Sequence, residues 1–212
     1  MEALMGVEIV AGGLRFEDFR LEINEWRSKP GVTTVVGANG SGKSTFLKSV
    51  LGLIPLDEGR RKSSVADAKL GYVPQNYRQS LLPWQTCSQN FELIQGIELD
   101  EAQAMLHDLG FPKSDFQKRP SQLSGGQCQR IAIVRELSLD PDLIVFDEPF
   151  ASLDTKTIVL VSKLIAKFVN AGGTALIASH QELNTHLSHL VNQELTITRK
   201  SENLASLSIC EH

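Results

Sequence analysis

Nine consecutive residues, Gly37-Ala38-Asn39-Gly40-Ser41-Gly42-Lys43-Ser44-Thr45, restrict the possible folds of this chain more than any other stretch. They follow the apolar run Val32-Thr33-Thr34-Val35-Val36 and lead into the helical pattern Phe46-Leu47-Lys48-Ser49-Val50-Leu51. A strand, a glycine-rich turn and a helix N-terminus form the setting in which G-x-x-x-x-G-K-[ST] makes a phosphate cradle. Glycines let the backbone fold tightly with several N–H groups pointing inward, and the positive end of the following helix adds to that field. Gly37, Asn39, Gly40, Ser41, Gly42, Lys43, Ser44 and Thr45 are therefore the expected nucleotide-binding residues. Lys43 is placed to reach the terminal phosphates, and the Ser44 hydroxyl is a hard oxygen ligand for Mg²⁺.

Composition narrows the class. The 212 residues are 42% hydrophobic and 22% charged, with a formal net charge of −4, as in a soluble globular protein. An acidic chain without a long basic run offers no electrostatic footprint for nucleic acid. Its densest basic cluster, Arg60-Arg61-Lys62, reads as a solvated turn. No apolar stretch approaches the roughly 18–20 residues of a membrane span. Met1-Glu2-Ala3-Leu4-Met5 carries an acid where a signal peptide requires a base. Cys87, Cys128 and Cys210 are odd in number and lack metal-ligand spacing, so a reduced cytosolic setting is expected.

The pattern along the chain is β-rich first and then alternating. Leu4, Val7, Ile9 and Val10 begin one strand; Phe19, Leu21 and Ile23 alternate with polar residues in a second. Leu70-Gly71-Tyr72-Val73 reads as a strand stopped by Pro74. From Gln75 onward helices dominate, with apolar spacing over 101–109 and Gly110 as a C-terminal stop. Asp142–Asp147 and Ala175–Ser179 are buried strands, and 195–198 with 204–209 suggest a small terminal hairpin. Buried strands alternating with helices imply an α/β fold with a mainly parallel sheet covered on both faces.

An acidic pair ends the second buried strand. Asp147 in that place would hold Mg²⁺, and Glu148 would polarise a water in line with the terminal phosphate. Between phosphate loop and acidic pair lies Leu123-Ser124-Gly125-Gly126-Gln127, whose serine and glycines open a helix and so make a second anion site. With these three motifs in order, the chain resembles the ATP-binding cassette (ABC) ATPases over nearly its whole length.

That resemblance implies a P-loop NTPase fold forming one domain over 1–212, with an N-terminal antiparallel β subdomain and a helical subdomain inserted at about residues 76–135. It implies ATP and Mg²⁺ as ligands. Gln75 matches the Q-loop glutamine that touches metal or water, and His180 matches the switch histidine at the γ-phosphate. Ser124, Gly125, Gly126, Gln127 and Asp154 match residues that reach the ATP of the partner in a head-to-tail dimer. Phe16 is the candidate for stacking on adenine, although Phe16 and Phe19 also read as strand core. Cys128 and Gln181 depart from the family's usual glutamine and aspartate without touching phosphate-contacting positions.

Leu81-Leu82-Pro83-Trp84-Gln85-Thr86 resembles a stretch of importer ATPases for sulfonates, nitrate and taurine, and reads either as packing or as a groove for a membrane subunit. The expected protein is the ATPase subunit of an ABC transporter on the cytoplasmic face of the membrane. Its partners would be transmembrane permease subunits, a second copy or related ATPase, and indirectly a solute-binding protein. From the short stretch after His180, an appended regulatory domain of the kind some sugar importers carry is not expected. The rivals are a non-transport ABC ATPase of DNA repair or translation, which usually shows split or duplicated motifs, and a non-hydrolysing nucleotide sensor, which Glu148 disfavours.

Overall fold

The structure is a computed structural model that describes residues 6–16, 19–63, 69–180, 183 and 185–211; the side chain of Phe16 lies outside the described residues, as do Leu4 and Gln181. Among the described residues nine strands make one sheet: β1 (Val7–Phe16), β2 (Phe19–Arg27), β3 (Gly31–Gly37), β4 (Glu58–Ser63), β5 (Leu70–Val73), β6 (Leu143–Asp147), β7 (Thr174–Ala178), β8 (Val191–Ser201) and β9 (Leu204–Glu211). Their order across the sheet is β4-β1-β2-β9-β8-β3-β7-β6-β5. The half from β8 to β5 is parallel throughout, and β4, β1 and β2 are antiparallel.

The helices are α1 (Lys43–Val50), α2 (Cys87–Glu92), α3 (Leu99–Asp108), α4 (Gly125–Leu137), α5 (Thr155–Asn170) and α6 (Thr185–Ser188). Side-chain alternation on β6 explains how they pack. Ile144 and Phe146 enter a core shared with α2 to α5, while Leu143 and Val145 enter a second core against α1 and the antiparallel strands. On β7, Ala175 and Ile177 divide from Leu176 and Ala178 in the same way. A strand buried on both faces needs apolar residues at every position, which is why these segments show no alternation in sequence. The helical chain between β5 and β6 covers one face, and α3 ends where Gly110 adopts φ +71°. No described helix is long and apolar enough to cross a membrane.

Two sequence expectations are corrected. Arg60-Arg61-Lys62 lies on β4 rather than in a turn. Among the described residues this strand pairs only with β1, so it is a sheet edge, where charged side chains are tolerated because they remain in water and discourage further pairing. The terminal hairpin is not small: β8 has 11 residues and β9 has 8. β8 pairs in parallel with β3, and β9 pairs in parallel with β2, so the hairpin joins the antiparallel and parallel halves into one sheet. Backbone hydrogen bonds offered by β3 extend β8 back through polar Asn192 and Gln193, whose side chains carry no strand signal.

That junction is held by a buried indole. The Trp26 Nε1–H of β2 donates to Gln193 Oε1 of β8 at 2.8 Å, and its ring meets Phe46 of α1 edge-on at 5.3 Å. Trp26 is 1% exposed, so both groups are cut off from water. Trp26→Ala is expected to cost about 3–5 kcal/mol of stability through lost packing. Trp26→Phe should cost about 1–3 kcal/mol, mostly from the stranded Gln193 amide. Urea unfolding of both variants measures the two losses, and Trp26→Phe as stable as wild type would show that the hydrogen bond contributes nothing.

Candidate functional site

The phosphate loop leaves β3 under tight constraint. A Cβ on Gly37 would lie 2.7 Å from the Ile197 carbonyl oxygen of β8, so only glycine passes there. Gly42 caps α1 at φ +103° without a side-chain hydrogen bond, so no side chain competes for the first-turn N–H groups of that helix. Around Gly40 an added Cβ would meet nothing within 4 Å, so the loop lies open on that side. Ser41 Oγ is buried and has no partner in its own chain. These features suit an anion that would bring its own acceptors.

Lys43 Nζ donates to the Gly37 and Ala38 carbonyls at 2.9 and 3.2 Å and lies 3.2 Å from His180 Nε2. Here the ammonium is held by the loop's own carbonyls. Two adjacent carboxylates close the other side. Asp147 ends β6 at 3% exposed, and Glu148 follows at 7% with φ +55°, a left-handed conformation uncommon for a side chain of this size. The Glu148 N–H still donates to the Ala178 carbonyl at 2.9 Å, so the turn that re-aims its carboxylate starts from an intact ladder.

His180 binds Glu148 through its backbone N–H, which donates to Oε2 at 3.3 Å. Glu148 Oε1 lies 3.2 Å from His180 Nε2 yet forms no hydrogen bond. An Nε2 that accepts from Lys43 has no proton left for Glu148, which accounts for the orphaned oxygen. One imidazole nitrogen thus stands between a cation and an anion and can satisfy only one at a time.

A cavity of about 250 Å³ gathers Asn39, Gly40, Gly42, Lys43, Ser44 and Thr45 from the loop with Gln75, Asp147, Glu148 and His180. Ser44, Gln75 and Asp147 also border an adjoining cavity of about 410 Å³. Hydroxyl, amide and carboxylate oxygens form a hard donor set that fits Mg²⁺. The cavity's aromatic wall is Phe19, with the Arg199 guanidinium 5.6 Å from its ring centre. Sequence reading took Phe19 for strand core, and it does lie on β2 packed against the second core; that its ring also borders the phosphate loop beside Gly42 is signalled by no local pattern.

Ser124, Gly125, Gly126, Gln127 and Asp154 do not line this cavity. Exposed Ser124 caps α4: its Oγ accepts from the Gln127 N–H at 3.2 Å, and its N–H donates to Gln127 Oε1 at 2.9 Å. Asp154 caps α5, accepting from the Thr157 N–H and hydroxyl at 2.9 and 3.0 Å, which hold its carboxyl below the ordinary range. Beyond Gln75, the Leu82 backbone is tied to the Asn90 side chain at 2.8 Å, Leu81 is buried, and Trp84 is 65% exposed.

Comparison with known proteins agrees with this geometry. The family model described as "ABC transporter" matches residues 23–151. The chain is 33% identical over 202 residues to the ergothioneine transport ATP-binding protein of Helicobacter pylori, covering 86% of this chain and 92% of that one. It is 35% identical over 135 residues to an aliphatic sulfonates import ATP-binding protein of Pseudomonas syringae pv. tomato, covering 62% and 47%. Its fold matches an ATP-binding cassette solved as a post-hydrolysis dimer with ADP and Pi, at TM-score 0.74, 24% identity and coverage of 90% and 93%.

The environment of Asp147 has a pH consequence. Burial, reinforced by the Asp147 charge, pushes the Tyr72 phenol from 10.0 up to about 12. A phenol that stays protonated longer when folded stabilises the fold fully below its unfolded value, and that contribution is lost as pH rises through the folded one. Wild type should therefore lose more stability than Tyr72→Phe between about pH 10 and about 12, measured by urea unfolding across that range. Parallel curves for the two proteins would contradict the assignment.

Proposed function

Because this chain belongs to the ABC transporter family, we propose that it is the ATP-binding and ATP-hydrolysing subunit of a transporter, driving solute movement by ATP-dependent pairing on membrane permease subunits. The observation that carries this reading is the meeting of phosphate loop, Gln75, Asp147, Glu148 and His180 around one cavity, while the Ser124-capped helix end lies outside it. Such a helix end completes a site in another copy.

In this reading Gly37 to Thr45 cradle the phosphates, with Lys43 leaving the Gly37 and Ala38 carbonyls to meet them. Ser44, Asp147 and Gln75 hold Mg²⁺, which offsets the phosphate charge when bound. Glu148 orients the attacking water and accepts its proton. His180 keeps its backbone bond to Glu148 while Nε2 turns to the γ-phosphate, and Ser124 to Gln127 with Asp154 act across the dimer. Phe19 supports an aromatic contact near the loop; the adenine role expected of Phe16 falls on a side chain outside the described residues. The helical stretch of about 76–135 would carry movement to a permease, placing the subunit peripherally on the cytoplasmic face of the membrane. The relatives named are ATP-binding proteins for ergothioneine transport and for aliphatic sulfonate import, two different solutes.

Glu148→Gln is expected to trap an ATP-bound dimer. Like charges about 4 Å apart repel by about 4 kcal/mol at an effective dielectric near 20. The amide removes that repulsion together with the proton acceptor. Size-exclusion with Mg-ATP should show dimer for the variant and mostly monomer for wild type; equal turnover in both would sink the role of Glu148.

Exposed Trp84 with Leu82 forms the proposed permease contact. Truncating a tryptophan anchor costs about 2 kcal/mol, or roughly thirtyfold in affinity. Leu82→Ser with Trp84→Ser should leave ATP binding near normal and weaken recovery with permease-containing membranes. A lower melting temperature with poor soluble yield would instead assign both side chains to packing.

A further inference from the structure

Gln75 borders the cavity, and two residues later the chain forms a single 3₁₀ turn, Tyr77–Ser80. That turn is fastened to the opening of α4. The Arg78 guanidinium donates through one nitrogen to the Pro120 carbonyl at 3.1 Å and through the other to the Leu123 carbonyl at 3.3 Å. Leu123 immediately precedes Ser124, so the second bond lands on the residue that aims the helix end. A Cβ on Gly125 would lie 2.7 Å from the Tyr77 hydroxyl, so this tyrosine fills the space beside the first residue of α4. Further along α4, Arg135 donates to the Ser80 carbonyl.

We infer that Arg78 is a positioning residue: it sets the Ser124–Gln127 helix end relative to Gln75, so that the end meets a phosphate of the partner copy only when Gln75 is in place. The inference rests on the proposed cross-dimer role of Ser124 to Gln127. Two charge-assisted bonds from one planar fork fix direction as well as distance, and an anion held by backbone N–H groups is sensitive to shifts near 1 Å. The 45-residue separation between Arg78 and Leu123 makes this a tertiary link, with no motif to mark it in sequence.

The test uses the full chain in the Glu148→Gln background with Mg-ATP, reading the dimer Kd by sedimentation velocity. Arg78→Ala should weaken the dimer at least about tenfold, or about 1.4 kcal/mol. Monomer affinity for a fluorescent ATP analogue and the melting temperature should stay near those of the parent. Arg78→Lys, which keeps the charge and loses the fork, should recover only part of the loss. An unchanged dimer with Arg78→Ala overturns the inference, as does a joint fall in melting temperature and monomer nucleotide affinity, which marks a merely structural peg. Full recovery by lysine overturns the two-bond geometry. A parent that never dimerises overturns the cross-dimer reading itself, and the inference with it.

Discussion

Two buried negative charges at the end of one strand are the constraint that the rest of this structure answers. Asp147 and Glu148 are 3% and 7% exposed, and an unpaired buried carboxylate is costly. The sheet places them beside the phosphate loop because β6 is separated from β3 by β7 alone, and β7 delivers His180 between them. Lys43 supplies the nearby positive charge, but its Nζ engages loop carbonyls and His180 rather than either acid. The orphaned Glu148 Oε1 and Ser41 Oγ are what such a centre retains while its charges are only partly balanced. In the proposed function the Ser41 hydroxyl is left to donate to a phosphate, and Glu148 Oε1, an acceptor that phosphate would repel, is left for a water.

Helix α4 is the second organising element. Its buried Gln129 donates to the Pro149 carbonyl at 2.6 Å, immediately after Glu148, while Gln129 Oε1 stays unpartnered. Its Glu136 accepts the Tyr72 N–H of β5 at 3.2 Å and pairs with Arg135 at 3.0 Å. Across its own opening, a Cβ on Gly126 would come within 3.3 Å of the Ser152 carbonyl. The helix therefore touches the turn after β6, the strand before Gln75 and the 3₁₀ turn beyond it. Its contacts explain why small residues are needed at its N-terminus and why long polar ones are buried along it.

The centre of the parallel core was legible because β6 and β7 are short runs of almost wholly apolar residues, and the phosphate loop announces itself by glycines at set intervals. The edge strand β4 was not, since its charged residues resemble a loop and become a strand only when β1 offers its hydrogen bonds. The full hairpin of β8 and β9 was hidden for the same reason, with Asn192 and Gln193 recruited by pairing rather than propensity. Among site residues, Phe19 and Arg78 carried no signal. One meets Gly42 of the loop through the packing of β2, and the other reaches carbonyls 42 and 45 residues away.

By itself the sequence determined the α/β class, the phosphate loop, the acidic strand end and the order of the motifs, because each is a local pattern whose spacing dictates its backbone. Only the tertiary structure decided that Glu148 and Lys43 meet at one imidazole nitrogen of His180, that Trp26 and Gln193 join the two halves of the sheet, and that Ser124 lies outside the cavity of its own chain. Those outcomes depend on which strands lie side by side and on which buried polar groups find partners. Pairing and burial are properties of the packed chain, and no window of sequence contains them.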